Sequence, residues 1–343
     1  MKKDIKDYTL QEFEQTLISR QQPKFHARQI FSWLYQKGAE DFSSMSDLPK
    51  DLRKRLADEF SVASLATVKV QESADGTKKF LFKTNDGFYI EAVTIPAESR
   101  LTACISSQAG CKFGCSFCES GASGFKRNLS ASEILDQLRL IKNDSRHRDL
   151  THVVFMGTGE PLDNYDHVLA AIRIINADYG FGIGARRITV STCGIVPGIK
   201  RLAQERLQIE LSVSLHAADD ETRTRIMPVD KAYPLKELIK TLRWYQETTG
   251  RQVTFEYLAA GGLNCDLHTA GKLCTIVRGL DCKVNLIPVN PHGGSGLRPP
   301  NKLEILLFRD KLFKSGIPVT LRKPRGRDID AACGQLRLRY DKK

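Results

Sequence analysis

Seven apolar runs rich in β-branched residues recur from about residue 100 onward, with a helical stretch between each pair. They read TACISS, THVVFMG, RRITVST, IELSVSLH, VTFEYLA, KVNLIPVN and IPVTLRK. A strand, a long crossover and another strand return the chain to the same end of a sheet, so the strands must lie parallel. The intervening stretches read as amphipathic helices. Ser130 and Glu133 form a capping box ahead of Ile134, Leu135, Leu138 and Ile141, and Val168, Leu169, Ile172 and Ile175 repeat the one-turn spacing. The class is therefore α/β, either an open doubly wound sheet or a full or partial barrel. In both, ligands collect beyond the carboxyl ends of the strands.

Residues 1 to about 62 differ. Ile30 and Leu34 lie one turn apart, and Leu48, Leu52 and Leu56 mark a second helix. On that helix Lys50, Arg53, Lys54 and Arg55 read as a solvated face, with an RNA-contact surface as the alternative. Between them and the alternating region come ATVKVQES, TKKFLFKT and FYIEAVTIP, separated by ADG and NDG, steps that suit tight hairpins. The expected organisation is a helical accessory, RNA-binding module over 1–62, a β-meander extension over 63–96 and a catalytic domain over 97–343.

Four of the nine cysteines fall between Cys104 and Cys118. Cys111, Cys115 and Cys118 form C-x3-C-x2-C, a spacing at which thiolates from one loop converge on one centre. Three ligands leave a tetrahedral zinc or a four-iron cubane one short. Cys104 could complete a structural zinc site, and spacing alone leaves both readings open. Cys193, Cys265, Cys274 and Cys282 read as small buried apolar residues. With no membrane-length apolar run and no leader-like N-terminus, the expected compartment is the cytoplasm, where thiols stay reduced or metal-bound. An excess of 52 Lys and Arg over 40 Asp and Glu, +12 in all, favours a polyanionic partner such as nucleic acid.

With Phe117 before its last cysteine, the C-x3-C-x2-C loop resembles the cluster motif of radical S-adenosylmethionine (SAM) enzymes. One strand–helix unit later, VVFMGTGEP sets Gly157, Gly159 and Glu160 at a strand end, where that superfamily meets the amino group of SAM. At the far end RGRDIDAACGQL, containing Cys333, resembles the C-terminal signature of the RlmN/Cfr family of RNA adenosine methyltransferases. The similarity spans nearly the whole chain, through IEAVTIP, CISSQAGC, GEPLDN, SLHAADDETR, IMPVD and LIPVNP in order. Pro161 is closer to the RlmN side than to the Cfr side. Thr158, Glu119, Ser120 and Val289 depart from the common pattern without touching the expected chemistry.

The resemblance implies a partial (β/α)6-type radical SAM barrel with a [4Fe–4S] cluster on Cys111, Cys115 and Cys118. It implies SAM contacts from Gly159, Glu160, Ser191, Ser214, Leu215, His216 and Asn290. Cys333 would take a methyl group by displacement, and a radical formed from a second SAM would activate that methyl to attack adenine. Glu91 would accept the ring proton. Cys104 would then attack the Cys333 sulfur, releasing product and leaving a disulfide. Arg322, Lys323, Arg325 and Arg327 would set positive charge beside the Cys333 thiol. The expected activity is methylation of an adenosine ring carbon, C2 favoured over C8, in large-subunit ribosomal RNA, with transfer RNA as a further substrate. A monomer reduced by flavodoxin or ferredoxin is expected. Two readings compete: an RNA-binding protein with a structural zinc site, and a radical SAM enzyme with a small-molecule substrate.

Overall fold

The computed structural model describes residues 2–122, 124–144, 149–290, 296–323 and 325–331, so Cys333 lies outside the described residues. Ten strands share one sheet. Four of them run antiparallel to their sequence neighbours: β1 (Leu65–Glu72), β2 (Lys78–Thr84), β3 (Tyr89–Ala97) and β4 (Arg100–Cys104). From β4 the sheet continues all parallel through β5 (His152–Phe155), β6 (Ile188–Thr192), β7 (Glu210–Ser214), β8 (Val253–Ala259), β9 (Cys282–Pro288) and β10 (Val319–Leu321). Spatial order follows chain order, and β1 and β10 are the two edges of an open sheet. Each crossover thus moves the chain one place along the sheet.

Helices α1 (Leu10–Ser19), α2 (Phe25–Tyr35) and α3 (Lys50–Glu59) precede the sheet. The short α4 (Glu119–Ala122) sits in the cysteine loop, followed by α5 (Ala131–Asp144), α6 (Tyr165–Asn176), α7 (Val196–Gln204), α8 (Asp220–Ile226), α9 (Leu235–Thr249), α10 (Leu267–Ile276) and α11 (Lys302–Lys314). β4–α5, β5–α6, β6–α7, β7–α9, β8–α10 and β9–α11 make six parallel units that end at the edge strand β10, the partial barrel expected. The capping box is present: Glu133 N–H donates to Ser130 Oγ at 3.3 Å, and Ser130 N–H donates to Glu133 Oε2 at 3.0 Å. Among the described residues no helix is long and apolar enough to cross a membrane.

The meander occupies the predicted stretches, and its two hairpins turn on Gly76 and Gly87, both at positive φ. It is no separate layer, because Val93 on β3 pairs with Cys104 on β4 and carries the barrel sheet outward. Side chains alternate across these strands. Ile90, Ala92 and Ala103 join the main core, while Val93 and Cys104 pack on the opposite face with Ala331. Glu91, two residues from Val93, shares that second face.

The N-terminal helices pack around Phe13, Phe31 and Phe60. Leu48 is buried with them but precedes α3, because Pro49 is the helix N-cap and biases its predecessor toward extended backbone. Fully buried Lys6 ties this module to the barrel, with Nζ 2.9 Å from Asp4 and 3.7 Å from Asp136 on α5. Asp136 also pairs with Arg139 at 2.6 Å and accepts the Ser64 and Leu65 N–H groups at 2.9 Å. With that many partners its burial is compensated.

Candidate active site

A cavity open to solvent lies beyond the carboxyl ends of the parallel strands. Cys111, Cys115 and Cys118 all line it. Their loop is shaped locally: Gly110 adopts φ +76°, and a Cβ there would lie 1.8 Å from the Gly124 carbonyl oxygen. Ser116 N–H donates to Ile226 O at 3.0 Å, and Cys118 N–H donates to Cys115 O at 3.1 Å. Burial pushes the Cys111 thiol up to about 12, with Cys118 adding to the effect, and drives Cys115 higher still. Thiols so desolvated would become thiolates on coordinating a metal cation. Among the described residues no three His, Cys, Asp or Glu side chains are gathered as a single ion requires. Three cysteines around a shared cavity suit the larger body of a cluster instead.

The next strand end fits closely against β4. A Cβ on Gly157 would lie 2.6 Å from the Ile105 carbonyl carbon, and Gly159 adopts φ +103° with Gln108 Cβ 2.5 Å from the same position. Gly157→Ala is therefore expected to cost about 1–3 kcal/mol of stability by forcing backbone apart, as measured by denaturant unfolding. Buried Glu160 accepts Leu162 N–H on Oε1 at 3.0 Å and Cys193 N–H on Oε2 at 2.7 Å. Burial raises its pKa, and these donors pull the other way. Cys193 is buried in the main core as expected and also lines the cavity beside Glu160, and burial drives its thiol well above the usual range.

His216 adopts φ +57°, and its carbonyl accepts Asn264 Nδ2 at 2.7 Å. Leu258 N–H donates to His216 Nδ1 at 2.9 Å. A backbone N–H can only donate, so the ring is neutral and carries its proton on Nε2. Burial, reinforced by the Arg223 charge, lowers its pKa to about 3. Phe117 meets the ring edge-on with centroids 4.8 Å apart, so the cysteine loop rests on the β7 end.

Gly159, Glu160, Ser191, Ser214, His216 and Asn290 all line the cavity. Leu215 does not: its side chain is wholly buried in the core, and its carbonyl accepts Arg223 Nε at 3.2 Å. Arg322 lines the cavity, Lys323 is exposed, and Arg325 lies 3.8 Å from Asp75. No described side chain corresponds to Arg327. Glu91 and Cys104 stand outside the cavity wall, on the sheet face against which Ala331 packs, and Cys333 follows two residues later in sequence. Glu256 also lines the cavity, holding Asn285 Nδ2 at 2.9 Å. Sequence reasoning missed it, since a strand glutamate ordinarily reads as solvated.

The family model described as the ribosomal RNA large subunit methyltransferase N-terminal domain matches residues 3–62, and that of the Radical SAM superfamily matches 105–266. The chain is 45% identical over 340 residues to the probable dual-specificity RNA methyltransferase RlmN of Staphylococcus aureus strain bovine RF122 / ET3-1, spanning 98% of this chain and 93% of that protein. The same identity and coverage hold for its counterpart in strain JH9. A crystal structure of a radical SAM methyltransferase from Sphaerobacter thermophilus superposes with a TM-score of 0.94 at 44% identity, covering 97% of this chain and 98% of that one. SuiB of Streptococcus suis, solved bound to S-adenosylmethionine, shares the fold at a TM-score of 0.50 and 14% identity, over 66% of this chain and 52% of that one.

Proposed function

The chain belongs to the RlmN family of radical SAM RNA methyltransferases, and from that premise we propose that it methylates C2 of an adenosine in large-subunit ribosomal RNA and also acts on transfer RNA. One observation carries the reading. The three cysteines and the strand-end residues share one cavity, while Cys104 and Glu91 lie on the sheet face met by the segment that leads to Cys333. Cys111, Cys115 and Cys118 would hold a [4Fe–4S] cluster, with SAM bound by Gly159, Glu160, Ser191, Ser214, His216 and Asn290, and by the Leu215 backbone. Bound together, cluster and SAM supply a hydrogen-abstracting radical.

The remaining chemistry belongs to this chain's own side chains. Cys333 carries the methyl group as a thioether, and Glu91 takes the proton from the ring carbon. Cys104, as its thiolate, bonds to the Cys333 sulfur, the bond from that sulfur to the methylene carbon breaks with its electron pair on carbon, and that carbon takes a proton from water to become the methyl group. The resulting disulfide must be reduced before another turnover. Residues 1–62 serve as an RNA-binding module, 63–96 as the sheet extension and 97–343 as the catalytic domain. The positive net charge supports an RNA partner. A cytoplasmic monomer drawing electrons from flavodoxin or ferredoxin completes the proposal.

The test is anaerobic reconstitution with iron and sulfide, followed by reaction with unmodified ribosomal RNA and SAM. About four irons per chain, lost in Cys115→Ala, and 2-methyladenosine in the digested RNA are expected. A colourless protein holding one zinc would overturn the reading, and 8-methyladenosine would overturn the choice of carbon.

A further inference from the structure

Lys79 belongs to an unremarkable Lys-Lys pair on β2, yet the two side chains part completely. Lys78 lies 2.9 Å from Asp144 on α5. Lys79 turns to the opposite face, 9% exposed, with Nζ 3.5 Å from Glu91 Oε1, and donates to the Asp330 carbonyl at 3.3 Å. One ammonium thus touches the carboxylate on β3 and the backbone of a segment some 250 positions away that continues into Cys333. Glu91 Oε2 is buried, with no hydrogen-bond partner among the described residues.

The segment is held at its other end too. Asp328 accepts Ser73 Oγ at 2.5 Å and Ala74 N–H at 3.2 Å, and Gly326 N–H donates to Asp75 Oδ2 at 3.2 Å. A Cβ on Gly326 would lie 2.9 Å from Thr77 Cγ2, so the segment sits directly on the first hairpin. The meander therefore docks the chain that leads to Cys333, and Lys79 fixes the end of that dock nearest Glu91.

We propose that Lys79 is a positioning residue for the ring-proton transfer, holding Glu91 as a carboxylate and registering the Cys333-bearing segment above it. This rests on reading Glu91 as the base. Only a proton moves in the step concerned, from the ring carbon to Glu91 and then to water. The groups facing Glu91 are Lys79 from β2, Cys104 from β4 and Asp330 from the docked segment. Burial pushes Glu91 up to about 7, with Lys79 opposing and Asp330 adding to the rise. Without the ammonium, nothing would counter burial, and the acid form would persist to higher pH.

The experiment uses the reconstituted holoenzyme with unmodified ribosomal RNA, comparing wild type, Lys79→Met, Lys79→Arg and Glu91→Gln. Methionine keeps the apolar stem and removes the charge. Its acid limb of methyladenosine formation should move upward by about one pH unit, making product formation about tenfold slower at pH 6 and recovering at high pH. Covalent protein–RNA adduct should accumulate while reductive SAM cleavage stays near wild type. Lys79→Arg should keep the wild-type limb. An unmoved limb in Lys79→Met, with Glu91→Gln inactive, would overturn the role of Lys79 alone. Equal loss of SAM cleavage in both Lys79 variants would make the residue merely structural, which also overturns it. Wild-type product from Glu91→Gln would remove the base itself, and the proposal with it.

Discussion

Arg223→Met is expected to cost about 3–5 kcal/mol and to abolish SAM binding in the same step. Arg223 on α8 is fully buried, and its charge is met by Asp230 at 2.8 Å. Its other donors gather strand ends: Nη2 reaches Cys193 O at 2.7 Å and Ser214 O at 3.3 Å, and Nε reaches Leu215 O at 3.2 Å. Those carbonyls belong to the two strand ends that carry Glu160's anchor and the Ser-Leu-His turn. Methionine fills much of the volume but leaves the buried Asp230 carboxylate without its counter-charge, with only Thr224 Oγ1 donating to it at 2.8 Å, and removes the guanidinium from the Cys193 and Ser214 carbonyls, each loss costing about 1–3 kcal/mol. Because the same groups shape the cavity, affinity and stability should fall together. Lysine, a point donor on a flexible stem, should recover the charge balance but not the three-way hold on the carbonyls. Denaturant unfolding and SAM titration calorimetry on the three proteins check this. A loss below about 1 kcal/mol in Arg223→Met would mean that water reaches those carbonyls.

Elements governed by local pattern were legible in the chain. The seven strand runs, the Ser130–Glu133 capping box and the two Asp-Gly hairpins all stand where periodicity and turn chemistry put them. The cysteine spacing and the glycines after β5 located the cavity, because a loop at a parallel strand end has few other places to go. What was hidden depends on contacts between distant strands. Nothing near Lys79 announces Glu91, since the pairing exists only through the β2–β3 register and the side of the sheet each residue faces. Cys193 is the buried residue expected, but its bond to Glu160, 33 positions away, could not be read locally. Arg223 ends the SLHAADDETR stretch, but only the fold shows that it turns inward. The boundary expected near residue 96 falls within a continuous sheet, because hydrophobic alternation cannot report whether β3 pairs onward to β4.

A Cys104→Ala enzyme is expected to stall with its RNA substrate covalently attached, lowering turnover by about 10⁴-fold. Cys104 ends β4, buried against Val93 and Ala331, with Val154, Met156 and Ile329 packed alongside. Alanine occupies that apolar patch with little more than a missing sulfur, so the fold should persist, and with it the cavity wall that Met156 shares with this patch. Loss of the thiol therefore separates chemistry from stability. Methyl transfer to Cys333, activation of that methyl and attack on adenine would all precede the point at which Cys104 acts. The adduct should survive denaturing electrophoresis, disappear on RNase treatment and map to a peptide containing Cys333. Cys333→Ala, by contrast, should give neither adduct nor product while still cleaving SAM, since it lacks the carrier rather than the release step. If Cys104→Ala turned over normally, release would not require this thiol. The pairing of Cys104 with the chain's far end would then be packing alone.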